Sequence, residues 1–175
     1  MRKALIAGTF LLAACKPPAT DADLDRPLPE AEPTFASAPL PSPDTKGAVW
    51  AQSAEPQRII YGIPGEEQLM ALACVGDEKN RKLRITRNSP ADEGAGAFLA
   101  LVGNGHIGRL EVDATEVSGR SIWLGEIAAE DNDWEPLAGP RQLTATIPGA
   151  GMVTLNPSPL PMQLVAQCRN SEPAE

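Results

Sequence analysis

The sequence predicts an all-β protein: a single antiparallel β-sandwich or small barrel at residues 47–169, preceded by a disordered linker rich in proline and acidic residues. Short runs of alternating apolar and polar residues recur in this region, as in Leu83–Thr86 and Leu143–Ile147. Gly, Pro, Asn and Asp separate the runs, and no twelve-residue segment has an apolar stripe at helical spacing. Many short strands at regular spacing are typical of a sandwich or a small barrel.

Nine segments combine alternating or β-branched residues with turn residues on both sides. They are, in chain order, Arg58–Ile63, Gln68–Val75, Lys82–Arg87, Ala97–Val102, Arg109–Val117, Ser121–Ala128, Gln142–Ile147, Met152–Leu155 and Met162–Cys168. The sequence therefore predicts nine strands, followed by a short tail at residues 170–175.

The first fifteen residues have the pattern of a signal peptide. Arg2 and Lys3 form a short positive region, and the eleven residues at 4–14 carry no charge. As a helix this run spans about 16 Å, which is too short for a hydrocarbon core of about 30 Å. The segment is therefore predicted to direct export and not to span a membrane.

Leu12-Ala13-Ala14-Cys15 resembles the lipobox of bacterial lipoproteins, and the resemblance covers residues 1–15 only. An ordinary secretory cleavage site would need a small residue in place of Leu12. The resemblance implies cleavage before Cys15, whose thiol would carry a diacylglycerol. With a further acyl chain on the freed amine, this anchors a protein stably in a membrane. Lys16 differs from the Asp that resembles an inner-membrane retention signal in enterobacteria, so the expected location is the outer membrane, facing the periplasm.

Residues 15–46 are predicted to form the lipidated cysteine and a disordered tether. Lys16–Lys46 contains eight prolines and six acidic residues against three basic ones, a composition that cannot form a core. Residues 1–14 carry two positive charges, so their removal changes the formal net charge from −8 to −10. Nucleic acid and anionic headgroups should repel such a chain, so membrane attachment is expected to depend on the acyl chains of Cys15.

If Cys15 carries lipid, Cys74 and Cys168 remain as an even pair in an oxidising compartment, and we predict a disulfide between them. Each residue ends an apolar segment and is expected to point inward. Two buried thiols or a metal site are the alternatives, and they have less support because His106 is the only histidine.

Two motifs resemble ligand-binding loops but lack the required context. Gly103–Gly108 matches G-x-G-x-x-G, yet an alternating strand follows it where a dinucleotide site needs a helix. Counted from Asp131, the acidic stretch Glu130–Glu135 lacks the glycine and glutamate that an EF-hand needs at its sixth and twelfth positions. No metal, cofactor or catalytic residue is therefore predicted.

Trp134 is the predicted contact residue of the domain. It lies in a loop among acidic residues, where an aromatic side chain can supply buried area within a polar rim. Trp123, by contrast, lies within a predicted strand and is expected in the core.

These observations favour a lipid-anchored binding or scaffold protein of the cell envelope, recognising an envelope protein or peptidoglycan. A periplasmic inhibitor of lysozymes or proteases is the first alternative, by analogy with small disulfide-closed β-barrel lipoproteins. An envelope hydrolase with paired carboxylates is the second, because the spatial separation of acidic residues is not visible in a sequence.

Overall fold

The computed structural model describes residues 38–170, which form nine strands, one 3₁₀ helix and one α-helix. In chain order these are β1 (Val49–Gln52), β2 (Arg58–Gly62), β3 (Met70–Val75), β4 (Lys82–Pro90), β5 (Gly96–Gly103), β6 (His106–Val117), β7 (Arg120–Ala128), the 3₁₀ helix (Asn132–Leu137), β8 (Leu143–Thr146), β9 (Met152–Leu155) and α1 (Leu160–Asn170). Cys15 with its lipobox, and residues 171–175 of the predicted tail, lie outside the described residues.

All nine strands belong to one antiparallel sheet with the order β1-β2-β3-β4-β7-β6-β5-β8-β9. The sheet curls into a nearly closed barrel, which confirms the predicted all-β antiparallel class. The predicted alternation of inward and outward residues is present in the strands. On β4, Leu83, Ile85, Arg87 and Ser89 are buried, and the residues between them are not.

Tyr61 and Asn156 join the two outermost regions of the sheet. The Tyr61 hydroxyl donates a hydrogen bond to the Thr154 carbonyl (2.9 Å) and accepts one from the Asn156 amide (3.0 Å). The side-chain nitrogen of Asn156 donates to the carbonyls of Thr45 (3.1 Å) and Ala48 (2.9 Å). These bonds connect β9 to β2 and to the segment before β1, where no strand pairing closes the sheet.

The 3₁₀ helix and α1 cover one end of the barrel. Trp134 and Leu137 of the 3₁₀ helix are buried, as are Leu164 and Val165 of α1. Arg169 fixes α1 in place by donating to the Ala129 and Asp131 carbonyls (2.8 and 3.1 Å) and by pairing with Glu135 (3.0 Å).

The predicted disulfide is present at this covered end. Cys74 ends β3 and Cys168 lies on α1, with a Cα–Cα distance of 5.5 Å and a separation of 94 residues along the chain. Cys74 follows Met70 and Leu72 on the inward face of β3, as predicted. The bond thus ties the C-terminal helix to the sheet.

The prediction of a strand at Met162–Cys168 is wrong, because this segment is part of α1. Leu164, Val165 and Cys168 are buried and Ala166 is exposed, a spacing that suits one face of a helix. The Ser158 hydroxyl accepts a bond from the Leu160 amide (3.2 Å) at the start of the helix. At eleven residues, α1 is shorter than the twelve-residue window in which no helical stripe was evident.

The predicted boundary between linker and domain is also too late in the chain. Residues 38–46 were assigned to the disordered linker, yet they pack along β9 and the turn before it. The Leu40 amide donates to the Gly149 carbonyl (2.8 Å), and the Met152 amide donates to the Ser42 hydroxyl (3.0 Å). The folded body therefore includes residue 38, and β1, which was not predicted, follows this segment.

Candidate functional site: an apolar pocket at the open end of the barrel

A cavity of about 500 Å³ lies at the end of the barrel opposite α1, where β4 ends and β5 and β7 begin. This volume falls within the range of small-molecule sites. Four parts of the chain line it, and their residues are Ala38, Pro39, Leu40, Pro90, Ala91, Asp92, Ala95, Gly96, Ala97, Phe98, Trp123, Pro148, Gly149 and Ala150.

Local features of the sequence shape this cavity. The register of β4 against β7 shifts between Arg87 and Pro90, so β4 carries a β-bulge at the point where it reaches the cavity. Such bulges bend a strand and are frequent beside binding sites. On the opposite side, the turn at Pro148–Ala150 is held by the Leu40 amide, so the segment before β1 forms part of the wall.

The wall of the cavity is mainly apolar. Trp123 is 7% exposed and Ala97 packs against the core, whereas Phe98 is 54% exposed and lies where the cavity meets solvent. Among the lining residues that the structure describes, Asp92 is the one ionisable residue, and its side chain or backbone takes part in a further interaction. The arrangement suits the apolar portion of a ligand.

A buried arginine lies directly behind this wall. Arg87 is 5% exposed, stands opposite Trp123 in the pairing of β4 with β7, and donates to the carbonyl of the wall residue Ala150 (3.4 Å). Its other hydrogen bonds go to the carbonyls of Leu69 (3.1 Å) and Asn88 (3.4 Å). Burial lowers the pKa of Arg87 to about 10, because a guanidinium ion loses hydration inside the barrel.

Arg87 has no carboxylate partner within residues 38–170, where the ion pairs are formed by other arginines. Two further buried polar atoms close to it, the Ser89 hydroxyl and the Trp123 indole nitrogen, lack hydrogen-bond partners in the described part of the chain. Buried polar groups are nearly always paired, and buried charges are usually compensated. Arg87, Ser89 and Trp123 therefore form a cluster that holds two of the three buried side-chain nitrogen and oxygen atoms without a partner in residues 38–170.

Trp134, the predicted contact residue, is completely buried, and the prediction of an exposed contact there is wrong. Its indole nitrogen donates to the Ala128 carbonyl (2.9 Å). The surrounding loop curls into the 3₁₀ helix, which the Asp131 carboxylate caps by accepting a bond from the Asp133 amide (2.9 Å). Trp134 thus helps to fill the covered end of the barrel, far along the sheet from the cavity.

Of the two motifs that resemble ligand-binding loops, Glu130–Glu135 runs into the 3₁₀ helix, and Gly103–Gly108 contains a tight turn. Asn104 and Gly105 both have positive φ angles and connect β5 to β6, as in a type I′ hairpin, so the G-x-G-x-x-G match is a β-turn. His106 lies exposed beside this turn. Residues 38–170 contain no cluster of three or more side chains able to hold a metal ion.

An exposed apolar pair lies beside the same hairpin. Val102 and Ile107 face each other across β5 and β6, and they are 45% and 58% exposed. The sequence does not identify this pair, because each residue is next to a glycine, and the face of β5 and β6 that is exposed depends on the neighbouring strands.

No helix within residues 38–170 has the length and apolarity needed to cross a membrane. Comparison of the chain with protein-family models, with curated proteins and with solved structures finds no match. The geometry of the barrel and the chemistry of its residues therefore provide the basis for assigning a function.

Proposed function

We propose that this protein is a lipid-anchored binding protein of the cell envelope, and that it takes an apolar part of its ligand into the pocket at the open end of the barrel. The observation that carries the proposal is the cavity of about 500 Å³ with a mainly apolar wall. Concave apolar sites with few polar groups are the usual form of a small-molecule site.

The position of the pocket along the chain supports this proposal. Residues 38–40 form part of the wall, so the segment that leads back to Cys15 joins the folded body at the pocket end. If Cys15 is lipidated, the 22 residues between it and Ala38 can span at most about 80 Å. The pocket would then work within that distance of the membrane surface.

Binding of a neutral fluorescent probe, N-phenyl-1-naphthylamine, tests the pocket directly. The chain from Lys16 onward, which retains all described residues, should enhance the probe's fluorescence. Ala97→Phe should abolish the enhancement because Ala97 lines the cavity. Ala100→Phe is the matched control, since Ala100 lies on the same strand and is absent from the cavity wall. If both variants bind the probe equally, or the parent chain does not bind it, the proposal is wrong.

Inhibition of an envelope lysozyme or protease is the second candidate, and the exposed pair of Val102 and Ile107 favours it. An apolar pair beside a hairpin tip can enter the cleft of a partner protein. In an inhibition assay, Ile107→Lys should then abolish the effect, while Val117→Lys on the same strand should not. Equal inhibition by both variants would exclude this surface.

A further inference from the structure

Arg87 keeps unused hydrogen-bonding capacity toward an anion. A guanidinium has five N–H donors, and Arg87 uses two on Nη1 and one on Nη2, all of them to backbone carbonyls. One donor on Nε and one on Nη2 remain, and a guanidinium can bind a carboxylate through two parallel hydrogen bonds. No carboxylate of residues 38–170 occupies this position.

Two more unpaired donors lie near the Arg87 guanidinium. Ser89 is the next inward residue of β4 after Arg87, and Trp123 is the cross-strand neighbour of Arg87 on β7. Both residues are more than nine-tenths buried, and the Ser89 hydroxyl and the Trp123 N–H have no partners in the part of the chain that the structure describes. Trp123 lines the cavity, and Arg87 and Ser89 lie next to Trp123 behind the wall, so the cluster borders the cavity.

The composition of the wall favours an acyl chain over a peptide. Pro39, Pro90 and Pro148 have no amide N–H, and most other lining side chains are alanines or larger apolar groups. An extended peptide needs backbone donors and acceptors on the protein to pair with its own, as in strand addition. A hydrocarbon chain needs only apolar contact.

We propose that the pocket binds a fatty acid, with its carboxylate on Arg87, Ser89 and Trp123 and its hydrocarbon chain against the apolar wall. This inference rests on the proposed function, because it names the ligand class of the same pocket. It assigns Arg87 as the counter-charge of the ligand, which accounts for a buried cation that has no acidic partner in residues 38–170.

Displacement of N-phenyl-1-naphthylamine from the chain beginning at Lys16 tests the inference. Dodecanoate and dodecanol share a hydrocarbon chain, and only the first carries a carboxylate. Dodecanoate should displace the probe at about tenfold lower concentration, as hydrogen bonds to a charged group predict. Arg87→Met should remove this preference. Arg84→Met, which removes the same charge from the outer face of the same strand, should retain it.

Ser89→Ala and Trp123→Phe test the carboxylate site without removing the arginine, and each should reduce the preference for dodecanoate. They decide the question if Arg87→Met fails to fold, as judged by circular dichroism. If the probe binds but dodecanoate and dodecanol compete equally, or if the preference survives in Arg87→Met, the fatty-acid inference is wrong and the pocket remains. If the probe does not bind at all, the proposed function itself fails.

Discussion

Arg87 and Trp123 stand directly opposite each other on β4 and β7, with both side chains buried in the barrel. The pair combines a cation that has no acidic partner in the described part of the chain with an indole that lines an apolar cavity, so it lies where the polar interior borders the candidate site. A buried charged residue that serves ligand binding need not stabilise the fold. Measuring the stability of variants at Arg87 distinguishes a binding role from a structural one.

We expect Arg87→Met to leave the free energy of unfolding unchanged or to raise it by about 1 to 3 kcal/mol. The pKa of Arg87 in the folded chain, about 10, lies well below its ordinary value, so the charged form opposes folding at neutral pH. That opposition is complete below the folded-state pKa and is relieved as the pH rises through it. Urea denaturation checks the value.

Arg84→Met provides the comparison, because Arg84 forms a partly exposed ion pair with Glu126 (2.7 Å). Its loss should lower the stability by at most about 1 kcal/mol. A loss of more than about 2 kcal/mol in Arg87→Met would show that Arg87 is a structural residue and not a binding one.

Tyr61→Phe should destabilise the barrel by about 1 to 3 kcal/mol, because it removes the hydroxyl that bonds to both Thr154 and Asn156. Asn156→Ala should weaken the same closure through the carbonyls of Thr45 and Ala48. Since both residues serve one junction, the loss in the double variant should differ from the sum of the single losses. Strictly additive losses in urea denaturation would contradict this account of the closure.

Tyr61 should ionise at a higher pH in the folded protein than in denatured chain. Burial raises its pKa, and the hydrogen bond from Asn156 offsets part of this effect. Because the neutral phenol is favoured in the folded state, the contribution of Tyr61 to stability is present below about pH 10 and is lost as the pH rises above it. As Tyr61 is the only tyrosine, phenolate absorbance reports on it directly. Coincident titration curves with and without urea would disprove the shift.

The barrel class could be predicted because alternation with a period of two directly reflects one buried and one exposed face. Eight of the nine predicted segments are strands. The ninth segment lies in α1. Leu164 and Cys168 are four residues apart, a spacing that puts two residues on the same face of either a strand or a helix. The burial of Val165 and the exposure of Ala166 separate the two, and burial depends on what packs against the segment.

The candidate site was not predictable in the same way. The alternation of Leu83, Ile85 and Arg87 does place the arginine inward, and this was the available signal. Its meaning depends on the pairing of β4 with β7, which brings Trp123 opposite, and on the turn that brings Ala150 within reach. Strand order determines such long-range neighbours. Local patterns in a single sequence do not reveal that order.

Trp134 illustrates the converse error. Its acidic neighbours suggested an exposed loop, but those acids cap and flank a 3₁₀ helix whose tryptophan turns inward. Gly108 on β6 makes this possible, because a side chain there would meet the backbone carbonyl of Asp133. The acidic composition of the loop correctly indicated an exposed surface, but it gave no information about the burial of Trp134.

Reduction of the Cys74–Cys168 disulfide should lower the melting temperature by well over 10 °C. The bond closes a loop of 94 residues, which corresponds to roughly 4 to 5 kcal/mol in the chain-entropy model. Each kcal/mol corresponds to about 4 °C in a domain of this size. The doubly substituted Cys74→Ala, Cys168→Ala chain is the control, since reductant should not change its melting temperature. A shift of only a few degrees in the parent chain would contradict the prediction.

Cys15→Ser should release the protein from the membrane fraction, because the thiol is the proposed attachment point of the diacylglycerol. The acidic chain offers little electrostatic attraction to anionic headgroups, so no second anchor should hold it there. Fractionation of cells followed by salt and carbonate washes measures the change, and Ser37→Ala serves as a control substitution outside the lipobox. Ser37→Ala should remain in the pellet. If Cys15→Ser also sediments after both washes, the lipid anchor is wrong, and the pocket would have to reach its ligand without a tether to the membrane.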